Sequence, residues 1–182
     1  MKYFKKLEYW NIYLSPVNTE DYELFTKWIN DNRISDWINH TKSVYWIEAE
    51  KSYFEEVAKN LDPSIKCFEI IRKEDDKVLW ICDLQKIDYI DWTATIWIFI
   101  WEVDEHNKWY WTDSLKALLW FWFNTLNLRD IELHVFSFNE PAIKCYTKVW
   151  FKEYWRRINS HYCNWKYYDE ILMNITKEQF NK

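Results

Sequence analysis

The sequence contains no glycine among its 182 residues, and it contains only three prolines. Average usage of about 7% predicts roughly 13 glycines in a chain of this size. The chain instead carries 15 tryptophans, where about two would be ordinary. Because the missing glycines and the surplus tryptophans are nearly equal in number, one hypothesis is that tryptophan stands at nearly every glycine position. The alternative is a tryptophan-rich protein whose aromatic surfaces bind a partner.

Several other patterns are missing, and each absence argues against a class of protein. No run reaches the roughly 18 apolar residues of a membrane span. No apolar segment follows the basic start Lys2–Lys6, as it would in a secretory signal. The net charge of -5 argues against a general nucleic-acid binder, which is usually basic. We therefore expect a cytoplasmic protein with no nucleic-acid partner and no membrane partner.

The cysteines and histidines lack the spacings of metal sites and disulfide frameworks. No CxxC, HxxxH or HxH pair occurs, so we expect no metal site. Without a secretory signal, scattered cysteines are expected to be reduced thiols of the core. The residues concerned are Cys67, Cys82, Cys145 and Cys163, with His40, His106, His134 and His161.

The residues that are present alternate between strand and helix periodicities. Helices are predicted after the capping residues Asn18 and Asn139, over Ile47–Asn60, and from Thr112 onwards. The order βααβββαβαββ predicts an α/β domain with a mostly antiparallel sheet. The predicted strands are Leu7–Leu14, Lys66–Arg72, Val78–Ile87, Thr93–Trp101, 131–135, Phe151–Asn159 and Lys166–Ile175.

Two of the helices have a predicted buried face. The helix from Thr112 repeats apolar residues at the spacing of one helical face. Those residues are Leu115, Leu118, Leu119, Trp122 and Leu126. The last helix, capped by Asn139, is predicted to turn Ile143, Tyr146 and Trp150 inward.

The junction between the strand ending at Trp101 and the helix near Thr112 is the most informative place for chemistry. A helix N-terminus offers unpaired N–H groups and a positive dipole, which together bind pyrophosphate. Such loops normally use glycine, so that the backbone can approach the phosphate. Here the loop reads His106-Asn107-Lys108-Trp109-Tyr110-Trp111-Thr112.

This loop resembles the coenzyme A signature Gln/Arg-x-x-Gly-x-Gly/Ala of the GNAT acetyltransferase superfamily. His106 stands at the Gln/Arg position, and Trp109 and Trp111 stand at the two glycine positions. Further segments follow in the family's order over nearly the whole chain. Residues 112–115 resemble its "GTEAL" helix start, 139–151 resemble "N-x-x-A-x-x-x-Y-x-K-x-G-F", 152–155 resemble "K-x-x-G", and 164–173 resemble "NGxYxDxxxM". This pattern is similar to the RimJ/RimL-like subgroup, which acetylates ribosomal-protein N-termini, and to its polyamine and antibiotic relatives.

The resemblance implies a fold and an activity. The expected fold is the GNAT fold, with a mixed, mostly antiparallel seven-stranded sheet flanked by four helices, in a single domain over residues 1–182. The expected reaction is direct transfer of acetyl from acetyl-CoA to the primary amine of a protein N-terminus, a polyamine or an antibiotic. It would proceed in a ternary complex, with no acyl-enzyme and no metal. The expected assembly is a monomer or a homodimer.

The resemblance also implies roles for individual residues. Tyr146 would protonate the leaving thiolate, Asn139 would orient cofactor or substrate, and a backbone N–H of the splayed strand would polarise the thioester carbonyl. Direct attack needs a neutral amine, and Glu102 is the leading candidate for the base that takes its proton. The expected cofactor-binding residues are Ile100, Trp101, Val103, His106, Asn107, Lys108, Trp109, Tyr110, Trp111, Thr112, Asn139 and Tyr146.

Each of the three side chains given a role, those of Asn139, Tyr146 and Glu102, also has a simpler local interpretation. Asn139 is well placed to be only a helix cap. Tyr146 lies on an apolar helix face and is equally a core residue. Glu102 belongs to an acidic stretch that is typical of a solvated loop.

The tryptophans leave other functions open. Trp109 and Trp111 would place indoles where phosphate must approach the backbone, which predicts a catalytically silent acyl-CoA-binding or protein-interaction module. A tryptophan-rich membrane-surface or carbohydrate binder is a third possibility. Trp150, at a helix end that prefers glycine, would cost on the order of 1–2 kcal/mol. This cost favours the hypothesis that a codon read as tryptophan inserts glycine in the organism, or that the sequence was altered deliberately.

Overall fold

The computed structural model describes residues 2–35, 37, 43–100 and 110–181, without the side chains of residues 99 and 100. The strands are β1 Leu7–Tyr9, β2 Ile12–Pro16, β3 Lys66–Arg72, β4 Val78–Asp88, β5 Thr93–Ile100, β6 Asp130–Phe136, β7 Lys152–Cys163 and β8 Lys166–Thr176. The helices are α1 Tyr22–Ile29, α2 Asn32–Ser35, α3 Ile47–Lys59, α4 Tyr110–Asn124, α5 Glu140–Lys148 and α6 Lys177–Phe180. A 3-10 turn, Thr19–Asp21, leads into α1.

All of these strands lie in one sheet, in the order β1-β2-β3-β4-β5-β6-β8-β7. Every neighbouring pair is antiparallel except β5 and β6, which run parallel. The mixed, mostly antiparallel α/β sheet expected from the sequence is therefore confirmed. The parallel pair is joined through α4, as a parallel connection requires.

The sheet has eight described strands rather than seven, because the first predicted strand is a hairpin. Tyr9 pairs with Ile12 across a two-residue loop, and Trp10 in that loop has a φ of 34°. Two-residue hairpin loops need positive φ and are usually marked by glycine or asparagine. A tryptophan at this position gives no turn signal in the sequence.

The four predicted helices are confirmed as α1, α3, α4 and α5, and the short α2 and α6 are additional. The side-chain oxygen of Asn18 accepts from the backbone N–H of Glu20 at 3.3 Å, which starts the turn before α1. The α3 helix carries Glu48 and Glu50 in its first turn, where the helix dipole favours negative charge. It ends at Asn60, in the left-handed conformation with a φ of 48°.

Two apolar cores cover the two faces of the sheet. The larger core packs α4 and α5 against one face, and we call this the α4/α5 face. The predicted stripe of α4 is confirmed, since its first four members are fully buried and Leu126 is partly buried against the same core. The smaller core packs α1 and α3 against the opposite face, which we call the α1/α3 face. Trp28 of α1 and Phe54 of α3 are buried there.

The buried face of α5 differs from the prediction. Tyr146 is buried, but Trp150 lies beyond the helix and is 49% exposed, while Val149 is fully buried. The helix ends because the Trp150 N–H bonds the Thr147 carbonyl and the Phe151 N–H bonds the Tyr146 carbonyl, each at 3.1 Å. This is the double hydrogen bond of a Schellman motif, whose left-handed residue is here Trp150, with a φ of 71°.

Four of the tryptophans that the structure describes have left-handed backbone. They are Trp10, Trp92, Trp150 and Trp165, with φ values of 34°, 58°, 71° and 63°. A side chain with a β-carbon costs about 1–2 kcal/mol in this region, whereas glycine occupies it freely. The sequence hypothesis of tryptophan at glycine positions is thus supported at these four sites by backbone geometry.

No described helix combines the length and apolarity that a membrane crossing needs. The four cysteines are free thiols, of which three are buried.

Candidate active site

A gap opens inside the sheet between β5 and β6. The two strands pair only at Thr93–Asp130, Ala94–Ile131 and Thr95–Glu132. Beyond these pairs, β5 continues to Ile100 and β6 continues to Phe136, with no register between them in the described residues. Backbone N–H and C=O groups that face such a gap need partners. An extended ligand with amide groups can supply those partners, as an added strand does.

The N-terminus of α4 lies directly after the loop that follows β5. The helix begins at Tyr110, and its aligned peptide dipoles place positive charge at this end. Tyr110 and Trp111 pack, partly buried, against the larger core. The Thr112 Oγ1 lies 3.7 Å from the Cys145 Sγ, a contact that joins the first turn of α4 to α5.

Most of the predicted cofactor loop lies outside the described residues. This applies to Trp101, Glu102, Val103, His106, Asn107, Lys108 and Trp109. Ile100 is the last described residue of β5, and its backbone pairs with Trp80 of β4. The predicted roles of the loop residues therefore remain predictions.

Tyr146 lies on the buried face of α5, beside the first turn of α4. Its ring meets the Trp111 ring edge-on, with centroids 5.8 Å apart, and it meets the Phe151 ring at 6.0 Å. Burial raises the pKa of the Tyr146 phenol well above its usual value. The hydroxyl therefore stays protonated at neutral pH and can act as a proton donor.

Asn139 caps α5, as its local sequence indicates. Its side-chain oxygen accepts from the Ala142 N–H at 3.2 Å, and Pro141 occupies the first turn. Tyr146 follows seven positions later, about 10 Å further along the helix axis at the usual rise. The structure thus brings Tyr146, Trp111 and Thr112 together, whereas Asn139 lies at the far end of α5.

Trp111 is the described residue that fits least well beside a bound cofactor. Its indole Nε1 is buried without a hydrogen-bond partner, and a buried donor left in this way destabilises the fold. The indole fills the space between the first turn of α4 and the Tyr146 ring. The gap between β5 and β6 suits an extended amide chain, whereas Trp111 occupies one side of the Tyr146 ring.

The sequence analysis missed Asp83, a buried carboxyl near the gap. Asp83 is 3% exposed and lies on the α1/α3 face of β4, opposite Cys67 of β3 and Trp97 of β5. Burial raises the pKa of Asp83 to about 7, and a 2.9 Å hydrogen bond from Gln85 opposes this rise only in part. Its Oδ1 is buried without a partner. The available signal was one carboxylate inside a run, Val78–Leu84, that is otherwise apolar and entirely buried.

Polar side chains continue along the α1/α3 face beyond the gap. His134 of β6 contacts the Glu132 carboxylate through Nε2 at 3.0 Å and the Glu170 carboxylate through Nδ1 at 3.1 Å. The Tyr154 hydroxyl donates to Glu132, and Arg157 pairs with Glu170 at 2.8 Å. This half of the face is therefore a charged surface rather than a helix-covered core. Within the described chain, no three His, Cys, Asp or Glu residues are grouped to hold a metal ion.

Solved structures share this architecture. A spermidine N-acetyltransferase from Vibrio cholerae, in complex with CoA and spermine, matches with a TM-score of 0.84 at 19% identity, over 94% of this chain and 99% of that chain. A GNAT-family acetyltransferase from Bacillus anthracis matches with a TM-score of 0.78 at 16% identity, over 94% and 98% of the two chains. At these identities the likeness shows a common fold. No curated protein shows significant sequence similarity.

The family is shown by the sequence itself. Residues 11–152 match the model of the acetyltransferase (GNAT) domain. The match begins at the β1–β2 hairpin and ends after α5, so it includes the gap, the start of α4 and Tyr146. Together with the splayed parallel strands, this match establishes that the chain belongs to the GNAT acetyltransferase family.

Proposed function

We propose that this protein transfers the acetyl group of acetyl-CoA to a primary amine, by direct attack in a ternary complex. The observation that carries the proposal is the gap between β5 and β6, bordered by the N-terminus of α4. The gap offers unpaired backbone to the amide-bearing arm of acetyl-CoA, and the helix end offers positive charge to its pyrophosphate. Tyr146 is the proton donor proposed for the departing thiolate.

The acceptor that we propose is a polyamine, among the amines that the sequence leaves open. Coenzyme A reaches the gap from the α4 side, so the acceptor must approach from the α1/α3 face. The carboxyl groups of Asp83, Glu132 and Glu170 lie on that face, and the chain carries a net charge of -5. Such a surface attracts a polycation. The similar Vibrio cholerae structure is named as a spermidine N-acetyltransferase, whereas the RimJ/RimL-like resemblance supports a protein N-terminus.

A silent acyl-CoA-binding module is the second candidate, and the contact of Trp111 with Tyr146 favours it. In this alternative the indole keeps the thioester away from the Tyr146 hydroxyl. Acetyl-CoA then binds without turnover, and activity appears only when the indole is removed.

The test measures thiol release from acetyl-CoA with three acceptors: spermidine, a peptide with a free α-amino group, and an aminoglycoside. It is run on the chain and on its Trp111→Gly variant. The matched control is Trp120→Gly, which removes an exposed indole from the same helix. We expect Trp111→Gly to increase turnover with spermidine most, and Trp120→Gly to leave the acceptor preference unchanged.

Binding is followed separately by the rise in melting temperature with acetyl-CoA, since a ligand of the native state stabilises it by mass action. A thermal shift without thiol release in the chain itself, with thiol release appearing only in Trp111→Gly, supports the silent module. A folded Trp111→Gly protein with neither shift nor turnover rules out both candidates.

A further inference from the structure

Two carboxyls of the α1/α3 face, Asp83 and Glu69, are buried in the sheet. Asp83 is buried, has an unpartnered oxygen and has a pKa near neutrality. Glu132 and Glu170 are both more exposed and both hydrogen-bonded to other side chains. Of the two buried carboxyls, Asp83 lies nearer the gap, and its pKa is the one near neutrality, since burial raises the pKa of Glu69 to about 9.

The register of the sheet places Asp83 one strand away from the gap. Thr95 of β5 makes the last pair with β6, and Trp97, two residues further along β5, lies opposite Asp83. Cα atoms opposite one another in antiparallel strands are about 5 Å apart. A thioester held between β5 and β6 at the first unpaired residues is therefore two strand spacings, about 10 Å, from the Asp83 backbone, a distance that the carboxyl side chain, a bridging water and the acceptor amine span together.

We infer that Asp83 accepts the proton that the acceptor amine loses before it attacks acetyl-CoA, through a bridging water. This inference rests on the proposed acetyltransferase function and assigns it a proton acceptor. The ammonium gives one proton through water to Asp83, and the neutral nitrogen then bonds to the acetyl carbon as the carbon–sulfur bond breaks. The nitrogen loses a second proton as the amide forms. Tyr146 gives its proton to the coenzyme A sulfur and regains one from the second amine proton through water, and Asp83 releases its proton to solvent.

The surroundings of Asp83 suit this role. The titratable groups that face it are the Cys67 thiol of β3 and the Tyr53 phenol of α3, with Glu50 one turn earlier on α3. Burial raises the pKa of the Cys67 thiol and of the Tyr53 phenol. Both groups are therefore neutral near pH 7 and add no charge beside Asp83 there. A general base with a pKa near the working pH is deprotonated in a large fraction of the molecules and is still basic enough to accept a proton.

The test compares Asp83→Asn with Glu69→Gln over pH 5.5 to 9, about the range that spans the Asp83 titration. Glu69 is also fully buried on the α1/α3 face, but it lies on β3, one strand further from the gap. We expect Asp83→Asn to lower kcat/KM by about 100-fold or more and to remove the rise of activity with pH near neutrality. Glu69→Gln should keep that rise, and Asp83→Glu should restore part of the rate.

Each assay is run in the chain and in its Trp111→Gly background. Full activity with an unchanged pH profile in Asp83→Asn overturns the inference while leaving the acetyltransferase function intact. The same holds if Glu102→Gln alone removes the pH-dependent rise. Absence of turnover in both backgrounds, with every amine, overturns the function and the inference together.

A second inference stands on backbone geometry alone. Trp165 follows Asn164 in the two-residue loop between β7 and β8, and both have positive φ, at 63° and 47°. This is the geometry of a type I′ turn, which strongly prefers Asn-Gly. Trp150 takes the left-handed position of a Schellman motif, where glycine is the usual residue. Trp10 takes the left-handed position of the β1–β2 hairpin.

The geometry points to glycine at these turns in the functional protein, because its organism decodes as glycine a codon that gives tryptophan in this chain. Trp92, with a φ of 58°, belongs to the same set. Trp28 serves as the internal reference. It is buried in the last turn of α1, has no left-handed backbone, and is expected to be a true tryptophan.

Peptide masses of the protein isolated from its own cells test this inference. We expect glycine at positions 10, 92, 150 and 165 and tryptophan at 28. Tryptophan at all five overturns it.

Recombinant variants test the physical basis. Trp150→Gly and Trp165→Gly should each raise the melting temperature by about 2 to 8 °C, since they relieve left-handed strain. Trp120→Gly, at a 54% exposed helical position, should lower it, because glycine weakens a helix interior. A fall in all three variants contradicts the strain argument.

Discussion

At the scale of single residues, the Tyr146 hydroxyl is the described group most closely tied to the proposed chemistry. Burial raises its pKa, so the phenol holds its proton until a developing thiolate draws it away. We predict that Tyr146→Phe lowers kcat by about 100-fold while the melting temperature changes little. Phenylalanine keeps the ring contacts with Trp111 and Phe151, and the measurement is steady-state kinetics with thermal unfolding.

The control for this substitution is Tyr13→Phe. Tyr13 is also buried, but it lies on the α1/α3 face, opposite to α4 and α5, and its hydroxyl donates to Asp76 at 2.8 Å. Loss of that bond should cost about 1 kcal/mol of stability and leave kcat unchanged. If Tyr146→Phe behaves like Tyr13→Phe, the proton-donor role is wrong.

At the scale of elements, α5 depends on Asn139 as its cap. We predict that Asn139→Ala lowers the free energy of unfolding by about 0.5–2 kcal/mol, whereas Asn139→Asp retains most of it. Aspartate keeps the accepting oxygen but loses the amide N–H donor. Denaturant unfolding gives the stability of each variant, and kcat/KM for acetyl-CoA gives its catalytic effect.

Stability and kcat/KM together distinguish the capping role of Asn139 from the orienting role that the family resemblance implies. An Asn139→Asp protein that is stable but catalytically impaired supports the orienting role. If Asn139→Asp is as active as the parent, Asn139 is a helix cap and nothing more.

Most elements follow from sequence periodicity, and the exceptions have identifiable causes. The alternation of β6 and the stripe of α4 are strong patterns because each buries one face against a single core. The β1–β2 hairpin and the end of α5 were harder to place, because Trp10 and Trp150 give none of the signals that glycine gives. β7 extends past its predicted end at Asn159, where a left-handed residue and a register shift allow the strand to continue to Cys163.

The site was only partly predictable for a different reason. Tyr146 and the start of α4 belong to local motifs, so the sequence indicates them. The burial of Asp83 depends on how α3 packs over the sheet, which no local pattern encodes. Asp83 also stands beside Trp97 only through the pairing of β4 with β5, a contact that the spacing in the sequence does not show.

At the scale of the whole molecule, two buried carboxyls make stability depend on pH. Burial raises the pKa of Glu69 from 4.5 to about 9 and that of Asp83 from 3.8 to about 7. The folded state therefore binds their protons more tightly than the unfolded state does. The free energy of unfolding consequently falls as pH rises from about 4 to about 9. Below pH 4 the opposite slope applies to groups such as Asp75, whose pKa is lowered to about 2 by its bond with Arg72.

We predict that Glu69→Gln matches the parent in melting temperature near pH 5 and exceeds it by several degrees at pH 9. The glutamine cannot ionise, so it removes the charge that the fold must bury. Thermal unfolding across this range checks the prediction, with exposed Glu140→Gln as the control. A constant difference at all pH values would mean that the carboxyl is not protonated in the folded state.

The contact between β5 and β6 has only three residue pairs and divides the sheet into two halves. Each half is built from one continuous stretch of the sequence. The strands up to residue 100 form one half of the sheet, and the strands from residue 130 form the other half. With only three residue pairs, the hydrogen-bond ladder between β5 and β6 is short. A ligand arm lying in the gap adds rungs and acts as a temporary strand. In the proposed function, the stiffness of the sheet therefore changes as coenzyme A binds and leaves.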